Sequence, residues 1–178
     1  QLGARLADLG AYQGHGSWAV PQGALISWAL MMEGGVQINA QGQRFHDETQ
    51  GYSEAAVHVL AQPGGTAWNV LDDPLLNFAQ DFPDFCEAQT AGAVHHCADV
   101  AALAAHIGCN AAALKQTLET VRHGVDPVTG RHFKRPLTAP FHAIRVTGAL
   151  FHTQGGLDIN AHCQVLRPDG RPFPNLLA

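Results

Sequence analysis

A chain of 178 residues and 18.9 kDa, with 46% hydrophobic and 14% charged residues, is long enough to bury a core and too apolar for disorder. Its net charge of -5 and pI near 6.1 exclude a nucleic-acid binder, which needs a basic field to hold phosphates. The longest apolar run, Ala24 to Met32, contains Ser27 and stops at Glu33, which is too short to span a bilayer.

In chain order, Leu2, Leu6 and Leu9 fall at helical spacing and predict a short amphipathic helix over Leu2 to Leu9. Gly14-His15-Gly16-Ser17 reads as a loop, because two glycines free the backbone around a histidine. Leu25 to Met32 is a buried segment whose type periodicity leaves open. Val36-Gln37-Ile38-Asn39 alternates and turns at Gln41-Gly42 before Arg44-Phe45, which predicts a hairpin. A helix is expected over Tyr52 to Ala61, stopped by Pro63-Gly64-Gly65, and a strand over Thr66 to Leu71. Asp99 and Asn110 are placed to cap helices over Val100 to Ile107 and Ala111 to His123, separated by Gly108. Gly124 to Pro140 is polar, proline-rich and loop-like. A strand follows over Ala143 to Thr147, then a glycine loop at His152-Thr153-Gln154-Gly155-Gly156 and short strands near Leu157 to Asn160 and Cys163 to Leu166. Helices and strands mix without strict alternation, so the expected class is α+β.

Cys86, Cys97, Cys109 and Cys163 form no CxxC pair, and free thiols in a reducing, cytoplasmic setting are expected. No signal-peptide layout is visible. The start at Gln1 and a last segment resembling an interrupted strand suggest a piece of a longer protein. His95-His96 beside Cys97 invites a metal reading, but adjacent side chains diverge, and no metal site is expected. GxGxxG, GxSxG and HExxH are all absent. What remains is His15 and His152, each in a glycine-bounded segment with a hydroxyl nearby, Ser17 or Thr153, suited to a polar substrate group.

Three stretches extend this reading. Gly35 to Glu48 (GVQINAQGQRFHDE), Ala139 to Ile144 (APFHAI) followed by His152 to Ile159 (HTQGGLDI), and Val165 to Leu177 resemble, in that order, motifs of the FAD-dependent fumarate reductase/succinate dehydrogenase flavoprotein family. The resemblance implies that residues 25–142 form the family's capping domain. Residues 1–24 and 143–178 would then be flanking pieces of its flavin-binding domain. It implies an oxidoreductase that reduces or forms a C–C double bond beside a carboxylate or carbonyl, with FAD held by the full-length protein. This piece alone would be colourless and inactive, its partners being a small anionic or carbonyl substrate and the missing flavin domain.

By the same resemblance His15, Ser27 and His152 fall on substrate-contacting positions. The two histidines are expected to meet at one cleft, with Ser17 and Thr153 beside them and Gly155 and Gly156 near the flavin. The family's acid arginine corresponds to Tyr52, and its relaying glutamate and arginine to Trp28 and Met31, which cannot conduct protons. Tyr52 is therefore the candidate proton donor or acceptor. Glu48 is expected to pair with Arg44 as a structural anchor. The alternative is a binding or regulatory module that keeps the cap fold without flavin.

Overall fold

Two consecutive helices in this chain start at side chains that satisfy the free N–H groups of the first turn. The Asp99 carboxylate accepts from the Ala102 N–H at 2.8 Å, and Asn110 Oδ1 accepts from Ala112 and Ala113. Gly108 between them is left-handed at φ 82°. The computed structural model describes residues 2–122 and 124–178.

The elements run β1 (Leu6–Ala7), β2 (Tyr12–Ala19), β3 (Ala24–Leu25), α1 (Ala29–Met32), β4 (Val36–Ile38), α2 (Tyr52–Leu60) and β5 (Thr66–Asp72). Next come α3 (Asp73–Ala79), α4 (Pro83–Thr90), β6 (Val94–Cys97), α5 (Val100–Ile107) and α6 (Ala111–Thr120). The chain ends with β7 (Gly124–Val125), β8 (His132–Phe133), β9 (Phe141–Thr153), β10 (Gly156–Leu157), β11 (Gln164–Leu166) and β12 (Pro172–Leu177). The mixture is α+β, as expected from the sequence.

Contacts group the chain into two compact units, one of Gly14–Ala149 and one combining the chain up to Gln13 with Leu150–Ala178. The larger unit is organised on a sheet of order β3-β2-β9-β5-β4. The antiparallel β5–β9 ladder runs from Thr66 opposite Thr147 to Asp72 opposite Phe141. Strand β6 takes the other edge of β9, with His96 opposite His142. β5 is buried on both faces from Ala67 to Asp72, so it shows no in-out alternation. In the smaller unit β1 pairs with β10 and β11 with β12.

Several expectations are corrected. No helix covers Leu2 to Leu9. Only Leu6–Ala7 is ordered as strand, and Leu2, Leu6 and Leu9 are 56–75% exposed, so the leucine stripe has no surface to bury against. The predicted 36–45 hairpin does not form, because β4 pairs with β5 instead. Asn39 Oδ1 accepts from the N–H groups of Gln41 and Gln43, and this turn sends Arg44 into the interior rather than back along β4. Gly14 to Ser17 is strand, not loop, and His152-Thr153 closes β9 rather than opening a loop. The second capped helix stops at Thr120; its predicted end at His123 lies outside the described residues.

The glycines of β2 have a packing purpose. A Cβ at Gly16 would sit 2.6 Å from the Ala55 Cβ and 2.9 Å from the Ala56 nitrogen, and one at Gly14 would sit 2.7 Å from the Ala56 Cβ. Gly148 on β9 meets the Ala56 carbonyl in the same way, at 2.6 Å. Helix α2 therefore rests directly on the sheet backbone, and Ser53 Oγ donates to the Gly14 carbonyl at 3.2 Å. Gly16→Ala should destabilise the chain by about 1–3 kcal/mol through overpacking, read as a drop in melting temperature. Gly10→Ala, whose Cβ would meet nothing within 4 Å, should change it little.

Candidate active site

Seating α2 on glycine brings its first residue over β2. The Tyr52 ring stacks on His15 with centroids 4.9 Å apart and 22° between planes, and the Trp28 ring stands nearly perpendicular to the same imidazole with centroids 6.0 Å apart. His15 is 4% exposed. Its Nδ1 accepts from the Ser17 N–H at 3.1 Å, so in the neutral ring the proton sits on Nε2. Burial lowers its pKa to about 4, which leaves it a neutral hydrogen-bond donor at pH 7.

Ser17 itself is fully buried, and its hydroxyl accepts from the Asn69 amide. Ser17 lies on β2 with no exposed surface in this chain. Ser27 is half-buried just before α1, and its hydroxyl accepts a long 3.4 Å bond from the Ala29 N–H. The structure thus brings His15, Tyr52 and Trp28 together, with Ser17 under them and Ser27 adjoining Trp28 in the chain. Trp28 donates to the Glu48 carbonyl at 3.0 Å, and Met31 is wholly buried, so both are core residues.

In the smaller unit His152 and Thr153 are exposed at the end of β9, with the Phe151 and His152 rings 4.2 Å apart. Gly155 presses on the Asp8 and Leu9 backbone so closely that any Cβ would collide with it, so its lack of a side chain serves this chain's own packing. A Cβ at Gly156, by contrast, would meet nothing within 4 Å.

The sequence reading missed a buried polar chain under the site. Gln37 Nε2 donates to the Gly16 carbonyl at 2.8 Å and to Asn69 Oδ1 at 2.9 Å, and its Oε1 faces His46 Nε2 at 2.8 Å. Because both Gln37 N–H groups are used, His46 is the donor in that contact. Burial, with the His58 and Arg44 charges, lowers His46 to about 4 against the opposing pull of Glu48 and Asp47. Gln37 and Asn69 sit mid-strand among Val36, Ile38, Trp68 and Val70; an amide between apolar neighbours on a strand buried on both faces was the available signal.

Beside this chain lies a buried ion cluster. Glu48, fully buried, accepts from Arg44 Nε at 3.0 Å, Arg131 Nη1 at 2.8 Å and the Gln37 N–H at 3.0 Å. Arg44 also pairs with Asp126, and both guanidinium groups lie over the Phe133 ring. The expected Arg44–Glu48 anchor is present and is larger than expected, since Arg131 and Asp126 come from the segment read as loop. Among the described residues no group of three His, Cys, Asp or Glu side chains could hold a metal, and no helix is long and apolar enough to cross a membrane.

Known proteins share this organisation. The FAD binding domain family model matches residues 1–178. A probable fumarate reductase, Ifc3, of Shewanella frigidimarina is 29% identical over all of this chain and 31% of its own length. An NADH:fumarate oxidoreductase of Klebsiella pneumoniae is 30% identical over 97% of this chain and 19% of its own length. The open conformation of a flavocytochrome c3 fumarate reductase superposes with a TM-score of 0.83 at 27% identity, covering 98% of this chain and 32% of that one. This chain therefore spans less than a third of the length of these relatives. It belongs to the FAD binding domain family, among the FAD-dependent oxidoreductase flavoproteins that include fumarate reductases.

Proposed function

We propose that this chain is the substrate-closing part of an FAD-dependent oxidoreductase that reduces or forms a C–C double bond beside a carboxylate or carbonyl. Residues 25–142 take the capping role, and 1–24 and 143–178 belong to the flavin-binding part. The observation that carries this reading is the Tyr52–His15 stack, a neutral N–H donor beside a phenol, in a chain matched by the family over its whole length.

His15 donates its Nε2–H to a substrate carboxylate or carbonyl, and Ser27 supplies a further donor; His152 and Thr153, in the smaller unit, are assigned substrate contact on the family resemblance alone. Charge that grows on that oxygen during reaction meets fixed donors already in place. The Tyr52 phenol moves the proton at the neighbouring carbon. Ser17 and Asn69 hold β2 from below so that His15 keeps one tautomer. Gly156, where a Cβ would meet nothing within 4 Å, would leave room for the flavin. FAD, when bound, supplies hydride exchange with the substrate carbon.

The test uses the full-length protein with its flavin reduced, mixed with fumarate, other unsaturated carboxylates and enones. Substrate-dependent reoxidation by at least one of them is expected. His15→Ala should raise KM for that compound about 10–100-fold with flavin content unchanged, the cost of one hydrogen bond to a charged group. A full-length protein without flavin would favour the binding-module alternative. A flavoprotein indifferent to every compound would overturn the reaction class.

A further inference from the structure

Strand β6 presents His95 and His96 to opposite faces of the sheet. His95 stacks on His106 of α5 with centroids 3.7 Å apart and planes within 6°. The two exposed rings form one wall of an open surface cavity of about 300 Å³, whose other walls include Gln22, the buried Trp68 and the exposed Arg145. Arg145 lies over the indole of Trp68, its cross-strand partner, at 5.9 Å from the ring centroid. Arg145 makes no ion pair among the described residues, in contrast to Arg44, Arg131 and Arg135, whose guanidinium groups are each held by a buried carboxylate. The described cavity lining contains no carboxylate at all. A chain of net charge -5 thus carries a concave spot whose fixed charge is positive and whose two titratable groups can only add to it.

We infer that this cavity is a binding site for a small oxyanion, with the Arg145 guanidinium as its primary ligand and the His95–His106 pair as a wall that strengthens the grip on protonation. A guanidinium fork matches the paired oxygens of a carboxylate, phosphate or sulfate. The Gln22 amide, which reaches the Gly92 carbonyl only at 3.5 Å, is a second donor at the rim. Like charges on the two stacked rings would face each other at ring-contact distance. Burial, and then the neighbouring His95, hold the His106 pKa below its usual range. An anion between Arg145 and the rings removes that opposition. The charged groups on adjoining elements, Asp99 at the start of α5, Glu87 on α4, and Lys115 and Glu119 on α6, stand outside the lining.

Sulfate is the first probe, since its charge is constant between pH 5.5 and 8 and any pH dependence reports the protein. Titrated into the full-length protein at fixed ionic strength, it should shift the His95 and His106 C2–H resonances saturably, with a dissociation constant of about 1–10 mM at pH 5.5. Affinity should fall about fivefold or more at pH 8. Succinate in a parallel titration distinguishes the ligand's shape: tighter binding than sulfate assigns a carboxylate, and weaker binding a phosphate-like anion. Arg145→Gln should abolish saturation while the sheet's resonance dispersion is retained, and His106→Gln should keep binding but flatten its pH dependence. Linear, unsaturable shifts with both anions, or shifts unchanged in Arg145→Gln, would overturn the site.

Discussion

Glu48→Gln lowers the unfolding free energy of the chain by about 3–5 kcal/mol at pH 7, measured by urea denaturation. The magnitude follows from what the substitution leaves behind. Glu48 is fully buried between Arg44 and Arg131, which are themselves almost wholly enclosed, and only Asp126 remains to balance two guanidinium charges. A buried charge that loses its partner keeps its desolvation cost without the compensating attraction. Burial alone would raise the Glu48 carboxyl, but the hydrogen bond from Arg44, the charges of Arg44 and Arg131 and the Gln37 N–H outweigh it and hold it below the ordinary carboxylate range.

The sign of the pH dependence follows. A depressed carboxyl stabilises the fold above its unfolded value near 4.5 and loses that contribution as pH falls through the folded value. His15 and His46, lowered from 6.5 to about 4, act in an earlier window: their contribution is complete above pH 6.5 and declines as pH falls toward 4. Glu48→Gln should therefore flatten the dependence below about pH 4.5 and leave the decline between 6.5 and 4 in place. An unchanged acid limb would show that the cluster is not the source.

The elements legible in the sequence were those governed by local rules. Asp99, Gly108 and Asn110 announce a capped helical hairpin, and the helix from Tyr52 and the strand from Thr66 appear close to where they were expected. Long-range choices were not legible. Val36 to Ile38 alternates as a hairpin strand should, but its partner is β5, about thirty residues away. The glycines around His15 have the same composition whether they loosen a loop or admit a helix, and only the position of Ala55 and Ala56 decides between them. Arg131 lies in a segment whose prolines and glycines read as loop, and nothing local marks it as the second cation on Glu48. At the proposed site, the glycines and hydroxyl around His15 are a local signal, while Tyr52 enters only through the family resemblance; Gln37 reads locally as the polar side of an alternating strand, and nothing local marks Asn69 as its partner.

Tyr52→Phe in the full-length flavoprotein tests most directly the proposed role of the phenol seated on the neutral His15 imidazole. The ring stays, so the stack on His15 and the seat of α2 on Gly14 and Gly16 are kept while only the proton is removed. With the reduced flavin and its best oxidant, kcat should fall by about 10²–10⁴-fold, the range for a positioned general acid, with flavin content and substrate KM little changed. A kcat within about threefold of the parent's, with the flavin in place, would contradict the account.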